Sequence, residues 1–241
     1  MSMVLERVAE NKKRFRPKLT EELGQKPLAA MLRRETWGDH DRAQFSPFEL
    51  SLAQGTVPKD AYAELLANVY PVYVALEERL ETLKDDPIVS QFHIDELARA
   101  PFIAKDLEYF YGPEWRSKLQ SLPGTQEYID RIRTVEPIGF IAHHYTRYLA
   151  DLSGGLMIAE ALRKCEWYEG TGLDYYDFSA IGDAVGFKNA YRQAVNDLPL
   201  DIEGKLTLIE EVMVAYEFNI EMGRALADKY IGGDKHIKLP E

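Results

Sequence analysis

The stretch KDAYAELLANVYPVYVALEERLETL, residues 59–83, places Tyr62, Leu65, Leu66, Val69, Tyr70, Tyr73, Leu76 and Leu80 three and four apart. That period is one buried stripe of an α-helix. Val57-Pro58 sets its start, because a proline in the first turn gives up an N–H that has no helical partner there. Pro71 lies inside the stripe, so it removes one helix hydrogen bond and predicts a bend. Working outward, the same period returns over 95–111 (Leu97, Ile103, Leu107, Phe110), ended by Gly112-Pro113, and over 125–134 (Tyr128, Ile129, Ile132). Helices are also predicted over 138–165, interrupted by Gly154-Gly155, and over 180–197 and 201–230. No β-branched run alternates at period two between turn signals. The reading is a single all-α domain of seven or eight helices over 28–232, between an N-terminal extension (1–27) and a C-terminal tail (233–241).

Of 241 residues, 46% are hydrophobic and 29% charged, enough for a core and unlike a disordered chain. A net charge of −11 argues against a general nucleic-acid binder, which needs a broad basic face. The single cysteine, Cys165, excludes an intramolecular disulfide framework and a thiolate-rich metal site. No run of apolar residues is long enough to span a membrane. Met1–Lys26 lacks the apolar core of a signal peptide, and Glu6, Glu10, Glu21 and Glu22 spoil the acid-poor pattern of a transit segment. A solvated extension carrying the basic run 11–18, on a soluble cytoplasmic protein, is expected.

Only five histidines are present: His40, His93, His143, His144 and His236. The residues three before them are Trp37, Ser90, Phe140, Ile141 and Gly233, so the Glu-x-x-His pairs of a di-metal carboxylate bundle are missing. His-Glu-x-x-His, the P-loop and Gly-x-Gly-x-x-Gly are also absent. The odd feature is Tyr145-Thr-Arg-Tyr-Leu-Ala-Asp-Leu-Ser-Gly-Gly155, helical on both sides of two glycines. Each glycine inside a helix costs about 1 kcal/mol relative to alanine. The pair marks either tight helix–helix packing or a flat ligand lying against bare backbone. Asp151, one turn before Gly155, faces the same way.

That segment resembles the distal-helix signature of the heme oxygenase family. Tyr73 with Ala75-Leu-Glu-Glu78, Ala104-Lys-Asp-Leu107 through Tyr111-Gly-Pro113, Phe187-Lys-Asn-Ala-Tyr-Arg192 and Ala215-Tyr-Glu-Phe-Asn-Ile220 are similar to family segments, in family order, over roughly residues 30–230. The resemblance implies an enzyme that cleaves heme to biliverdin, carbon monoxide and ferrous iron. It uses O2 and electrons from a ferredoxin or an NADPH-dependent reductase, with heme held between a proximal and a distal helix. It implies His40 as the iron ligand. Asp151, Asn219 and Tyr73 become a water-ordering network for proton supply, and Gly154 and Gly155 the distal wall. Arg33, Tyr145, Lys188 and Arg192 become a clamp for the heme propionates. Arg33 stands seven residues before His40, and Lys188 and Arg192 are four apart, spacings that put each pair on one helix side.

The chain departs from the family pattern at two positions. Ala150 stands where the family has glycine, and Gln44 where the best-studied members have glutamate, four residues after the histidine. These departures motivate the alternative of a heme-binding carrier or sensor with impaired turnover. Family docking sites for the electron donor are basic, which directs attention to Arg131, Arg133, Arg147, Arg163 and Lys164.

Overall fold

The computed structural model describes residues 22–232 together with 4–6, 8, 19 and 20. Its helices are α1 (Leu28–Glu35), α2 (Trp37–Gln44), α3 (Pro47–Gln54), α4 (Lys59–Thr82), α5 (Ala100–Tyr111) and α6 (Trp115–Lys118), then α7 (Thr125–Thr134), α8 (Pro137–Ala150), α9 (Leu156–Leu162), α10 (Ala184–Asn196) and α11 (Ile202–Tyr230). Short 3-10 turns at Ser90–Phe92, Asp95–Leu97, Asp174–Tyr176 and Ser179–Ile181 join some of them. No β-strand occurs among the described residues. The all-α expectation holds, with more breaks than expected. The first three helices are short and were not anticipated individually. The expected helix over 95–111 begins instead as a 3-10 turn.

Local chemistry sets the ends. Ser46 caps α3, its hydroxyl accepting the Glu49 N–H at 3.4 Å, with Pro47 in the first turn. Asp183 caps α10 through the N–H groups of Val185 and Gly186, and Asp201 caps α11 through that of Gly204 at 2.8 Å. Gly55 ends α3 in the left-handed region, with φ 66°. A Cβ there would stand 2.6 Å from the Ala161 carbonyl oxygen, so glycine lets α3 close directly on α9. Pro71 sits inside one uninterrupted 24-residue helix.

The two longest helices organise the core. α8 lies along α11, while α4 packs against α5 and α7. Tyr128 of α7 stacks on Phe218 of α11, with ring centres 4.8 Å apart. Burial also takes in charge. Glu211 of α11 is buried, which alone would raise its carboxyl. Hydrogen bonds from His143 (3.0 Å) and Arg131 (2.7 Å) outweigh that and pull it down to about 2. His144 is fully buried, bonded through Nδ1 to the Tyr191 hydroxyl at 2.7 Å, and burial drives it down to about 3. It is therefore a neutral core histidine. His93 pairs with Glu81 at 3.1 Å on the surface side.

The N-terminal segment corrects an expectation. Val4, Val8, Leu19 and Leu23 are buried in the main core, so these residues are packed rather than solvated. Val4 and Val8, and Leu19 and Leu23, are each four apart, the spacing that puts a pair on one helix side. The basic run 11–18, the tail 233–241 and His236 lie outside the described residues.

Candidate functional site

A cavity of about 440 Å³ opens between α2–α3 on one side and the α8–α9 line on the other. α4 contributes Leu65 and Val69, and α11 contributes Tyr216, Asn219 and Met222. The lining is largely apolar with polar groups gathered together, the usual make-up of a small-molecule site.

His40 of α2 lines this cavity. Its ring stacks on Trp37 with centres 5.0 Å apart and meets Tyr216 edge-on at 6.2 Å. The half-exposed ring buries its Nδ1, which has no hydrogen-bond partner, Asp41 standing off at 3.6 Å. Gln44 also lines the cavity but makes no hydrogen bond to His40. The expected continuity from Arg33 to His40 is corrected, because the helix breaks at Thr36 between α1 and α2. Arg33 is brought near by stacking instead, its guanidinium lying 5.3 Å from the Trp37 ring centre.

Across the cavity, Asp151–Gly155 form a π turn between α8 and α9. The predicted interruption at the glycines is this inserted turn, a form that widens a helix and recurs at functional sites. The two readings of the glycine pair divide between its members. A Cβ on Gly155 would stand 3.0 Å from the Tyr176 ring, so that glycine serves packing. A Cβ on Gly154 would meet no atom within 4 Å, so its backbone faces the cavity. Ala150 is exposed on the same wall.

Asp151 is buried, and both its oxygens are engaged. Tyr73 donates to Oδ2 and Tyr175 donates to Oδ1 at 2.9 Å. Arg147 donates to the Tyr175 hydroxyl at 2.8 Å and to the Asn219 side-chain oxygen at 2.5 Å. Burial raises the Asp151 carboxyl, opposed by Arg147 and the tyrosine hydrogen bonds. Burial works against the Arg147 charge, but Tyr175, Tyr73 and Asp151 around it more than offset this. Tyr73, Asp151 and Asn219 therefore belong to one network, joined by two residues the sequence did not single out for it.

Arg147 was expected on a basic surface and is instead half-buried, with its guanidinium turned into the site. His143 and Arg147 stand four apart on the inward face of α8, so the helical period carries the signal for the position of Arg147. Tyr175 comes from a 3-10 turn with no helical period to mark it. Asp106 holds that turn by accepting the N–H groups of Asp174 (2.9 Å) and Tyr175 (2.8 Å). Arg99 holds it by donating to the Asp177 carbonyl at 2.5 Å while stacking on Phe178. Of the remaining candidates for a basic patch, Arg131 pairs with Glu211, Arg133 with Glu78 and Lys164 with Glu160, while Arg163 is exposed.

Beside the cavity lies a more open cleft lined by Arg33, Arg34, Trp37, Arg192 and Asn196. Tyr145 is half-buried close by. Its hydroxyl is raised by burial, and the charges of Arg192 and Arg33 oppose that. Arg33, Tyr145 and Arg192 are thus drawn together. Lys188 is not part of that group. It reaches the π turn, at 3.3 Å from the Leu152 carbonyl and 3.4 Å from the Ser153 hydroxyl.

An imidazole on one wall, bare backbone on the other and a buried acid–base network at one end define a helical protein built around a single flat ligand. The family model for heme oxygenase matches residues 26–225. Heme oxygenase 1 of Synechocystis sp. is 37% identical over 207 residues, covering 85% of this chain and 86% of that protein. Heme oxygenase 1 of Gallus gallus is 35% identical over 205 residues, covering 83% and 69%. The crystal structure of the Synechocystis heme oxygenase-1 in complex with heme superposes with a TM-score of 0.81 at 35% identity, covering 86% of this chain and 95% of that one. The heme oxygenase structure from Leptospira interrogans gives 0.78 at 33% identity, covering 82% and 98%. The chain belongs to the heme oxygenase family.

Proposed function

We propose that this chain binds heme in the α2–α8 cavity and cleaves it to biliverdin, carbon monoxide and ferrous iron, using O2 and electrons from a ferredoxin or reductase in the cytoplasm. The observation that carries the reading is that His40 and the Gly154 backbone line one cavity, with nothing within 4 Å of where a Gly154 Cβ would stand. The residues fit the group. A histidine ring offers a nitrogen to iron, a bare helix wall admits a flat ring, and Arg33 and Arg192 flank the cavity as partners for carboxylates. Heme supplies the iron that activates O2 and the ring that is opened.

The protein's own part is positional. His40 would offer its imidazole nitrogen to the iron, the ring steadied by Trp37 and Tyr216. Gly154 lets backbone approach where a side chain would stand. The buried network of Tyr73, Asp151, Tyr175, Arg147 and Asn219 fixes hydroxyl and guanidinium donors at the polar end, ready to order water and pass protons. Arg33, Tyr145 and Arg192 fix the ring's rotation, with Lys188 acting beside the π turn. No helix among the described residues is long and apolar enough to cross a membrane.

The test is absorbance of the heme-loaded protein during reduction under air. Biliverdin should replace the heme bands within one turnover. His40→Ala should lose the histidine-ligated spectrum. Heme that binds yet yields no biliverdin would make the protein a carrier.

A further inference from the structure

Glu49 has no part in the network above, yet it lines the same cavity. Its sequence setting, Ser46-Pro-Phe-Glu49, reads as a capping box, in which the glutamate would reach back to the Ser46 N–H. The structure assigns that N–H elsewhere. Ser46 donates to the Ala43 carbonyl at 3.1 Å, and only the forward half of the box forms, from the Glu49 N–H to the Ser46 hydroxyl. The Glu49 carboxyl is released from helix capping, and no hydrogen bond or ion pair to it occurs among the described residues. Asp151 presents the opposite case, with both oxygens already accepting tyrosine hydroxyls. Of the two carboxyls on the cavity wall, only Glu49 has free capacity toward the cavity.

We propose that Glu49 is the proton-exchanging carboxyl of this cavity, while Asp151 holds the tyrosine–arginine network in place. The step is a proton transfer alone. The Glu49 O–H bond breaks, an O–H bond forms on an acceptor oxygen in the cavity, and solvent at the cavity mouth returns the proton. The proposal rests on the heme-cleaving function given above.

The surroundings suit the role. Arg147 of α8 and Asp151 of the π turn act on Glu49 with opposite signs, and Tyr175 and Tyr176 face the cavity from their 3-10 turn. His40 of α2 and Tyr216 of α11 share the lining, while α9 brings only Met157 and Ile158 and α4 only Leu65 and Val69. Burial raises the Glu49 carboxyl to about 7, with Arg147 opposing and Asp151 assisting. An acid poised there is part-protonated at neutral pH, where proton exchange is most efficient.

Two measurements on the full chain test this, with Glu49→Gln as the main variant. In the heme-free protein, a carboxyl raised on folding loses stability as pH rises from about 4.5 to about 7. The folding constant of wild type relative to Glu49→Gln should therefore fall by about tenfold per pH unit across that window and level off above it. In the heme-loaded protein, single-turnover biliverdin formation should decline in wild type as pH passes about 7. Glu49→Gln should be slower by about tenfold or more below that pH and lack the decline, and Glu49→Asp should restore it. A flat stability difference, or an unchanged pH profile in Glu49→Gln, overturns the proposal. Heme that binds both proteins with the same profile overturns only Glu49's role. Heme that binds neither overturns the function beneath it and this proposal together.

Discussion

At the scale of single residues, one methyl group and one hydroxyl decide most. Ala150 adds a Cβ to the cavity wall one turn before the unobstructed Gly154. Ala150→Gly removes that methyl and should raise the yield of biliverdin per heme, with heme affinity within about threefold of wild type. Product analysis of single turnovers reads the difference. Tyr175 occupies Oδ1 of Asp151 and takes a hydrogen bond from Arg147. Tyr175→Phe removes a buried link and should cost about 1–3 kcal/mol of stability, measured by urea unfolding. It should also leave Asp151 half-satisfied and shift the pH dependence of the ferric heme spectrum. Neither role was fully legible in the sequence. The Asp151 carboxylate and the glycine pair are written in a helical period, so their relation to one face could be read. Tyr175 arrives from a loop, where no period links it to Asp151, 24 residues away in the chain. Arg147 was visible but misplaced, because a charged residue is more often solvated than buried and its partners lie on other elements.

At the scale of elements, the π turn separates two glycines that look equivalent in the sequence. Gly155→Ala drives a Cβ to 3.0 Å from Tyr176, so it should lower stability by roughly 1–3 kcal/mol unless that ring shifts. Gly154→Ala meets nothing and should leave stability near wild type or slightly higher, since alanine is the better helix former. Its effect should fall on heme affinity instead. Thermal unfolding of the heme-free variants and heme titration distinguish the two. The long stripes of α4 and α11 were readable because each buries one face over many turns. The short α1–α3 run was not, since eight-residue helices give barely two turns of pattern. The break at Thr36 shows the cost. Arg33 and His40 were placed on one helix by spacing, whereas stacking through Trp37 relates them.

At the scale of the whole molecule, buried charge gives stability a pH dependence. Glu211, drawn down to about 2 by His143 and Arg131 against the pull of burial, contributes stability that is present above its unfolded value of about 4.5. That contribution is lost as pH falls through about 2, amounting to about 3 kcal/mol. Glu211→Gln should flatten the decline of Tm between pH 5 and 2, while lowering Tm at neutral pH because His143 and Arg131 lose their partner. The net charge of −11 foretold none of this, being a sum over the surface that is blind to pairing inside. One further consequence comes from the contact of Gly55 with α9. There α3 meets the Ala161 carbonyl, and the Cys165 thiol donates to the Gly55 carbonyl at 3.1 Å, so the two sides of the cavity are riveted at that end. At the opposite end α2 follows the joint at Thr36 and is held by packing against α11, with His40 meeting Tyr216 edge-on. The cavity is thus closed beside Gly55, and a rigid disc and its opened product are expected to pass on the Trp37 side, where Trp37 and His40 are open to solvent.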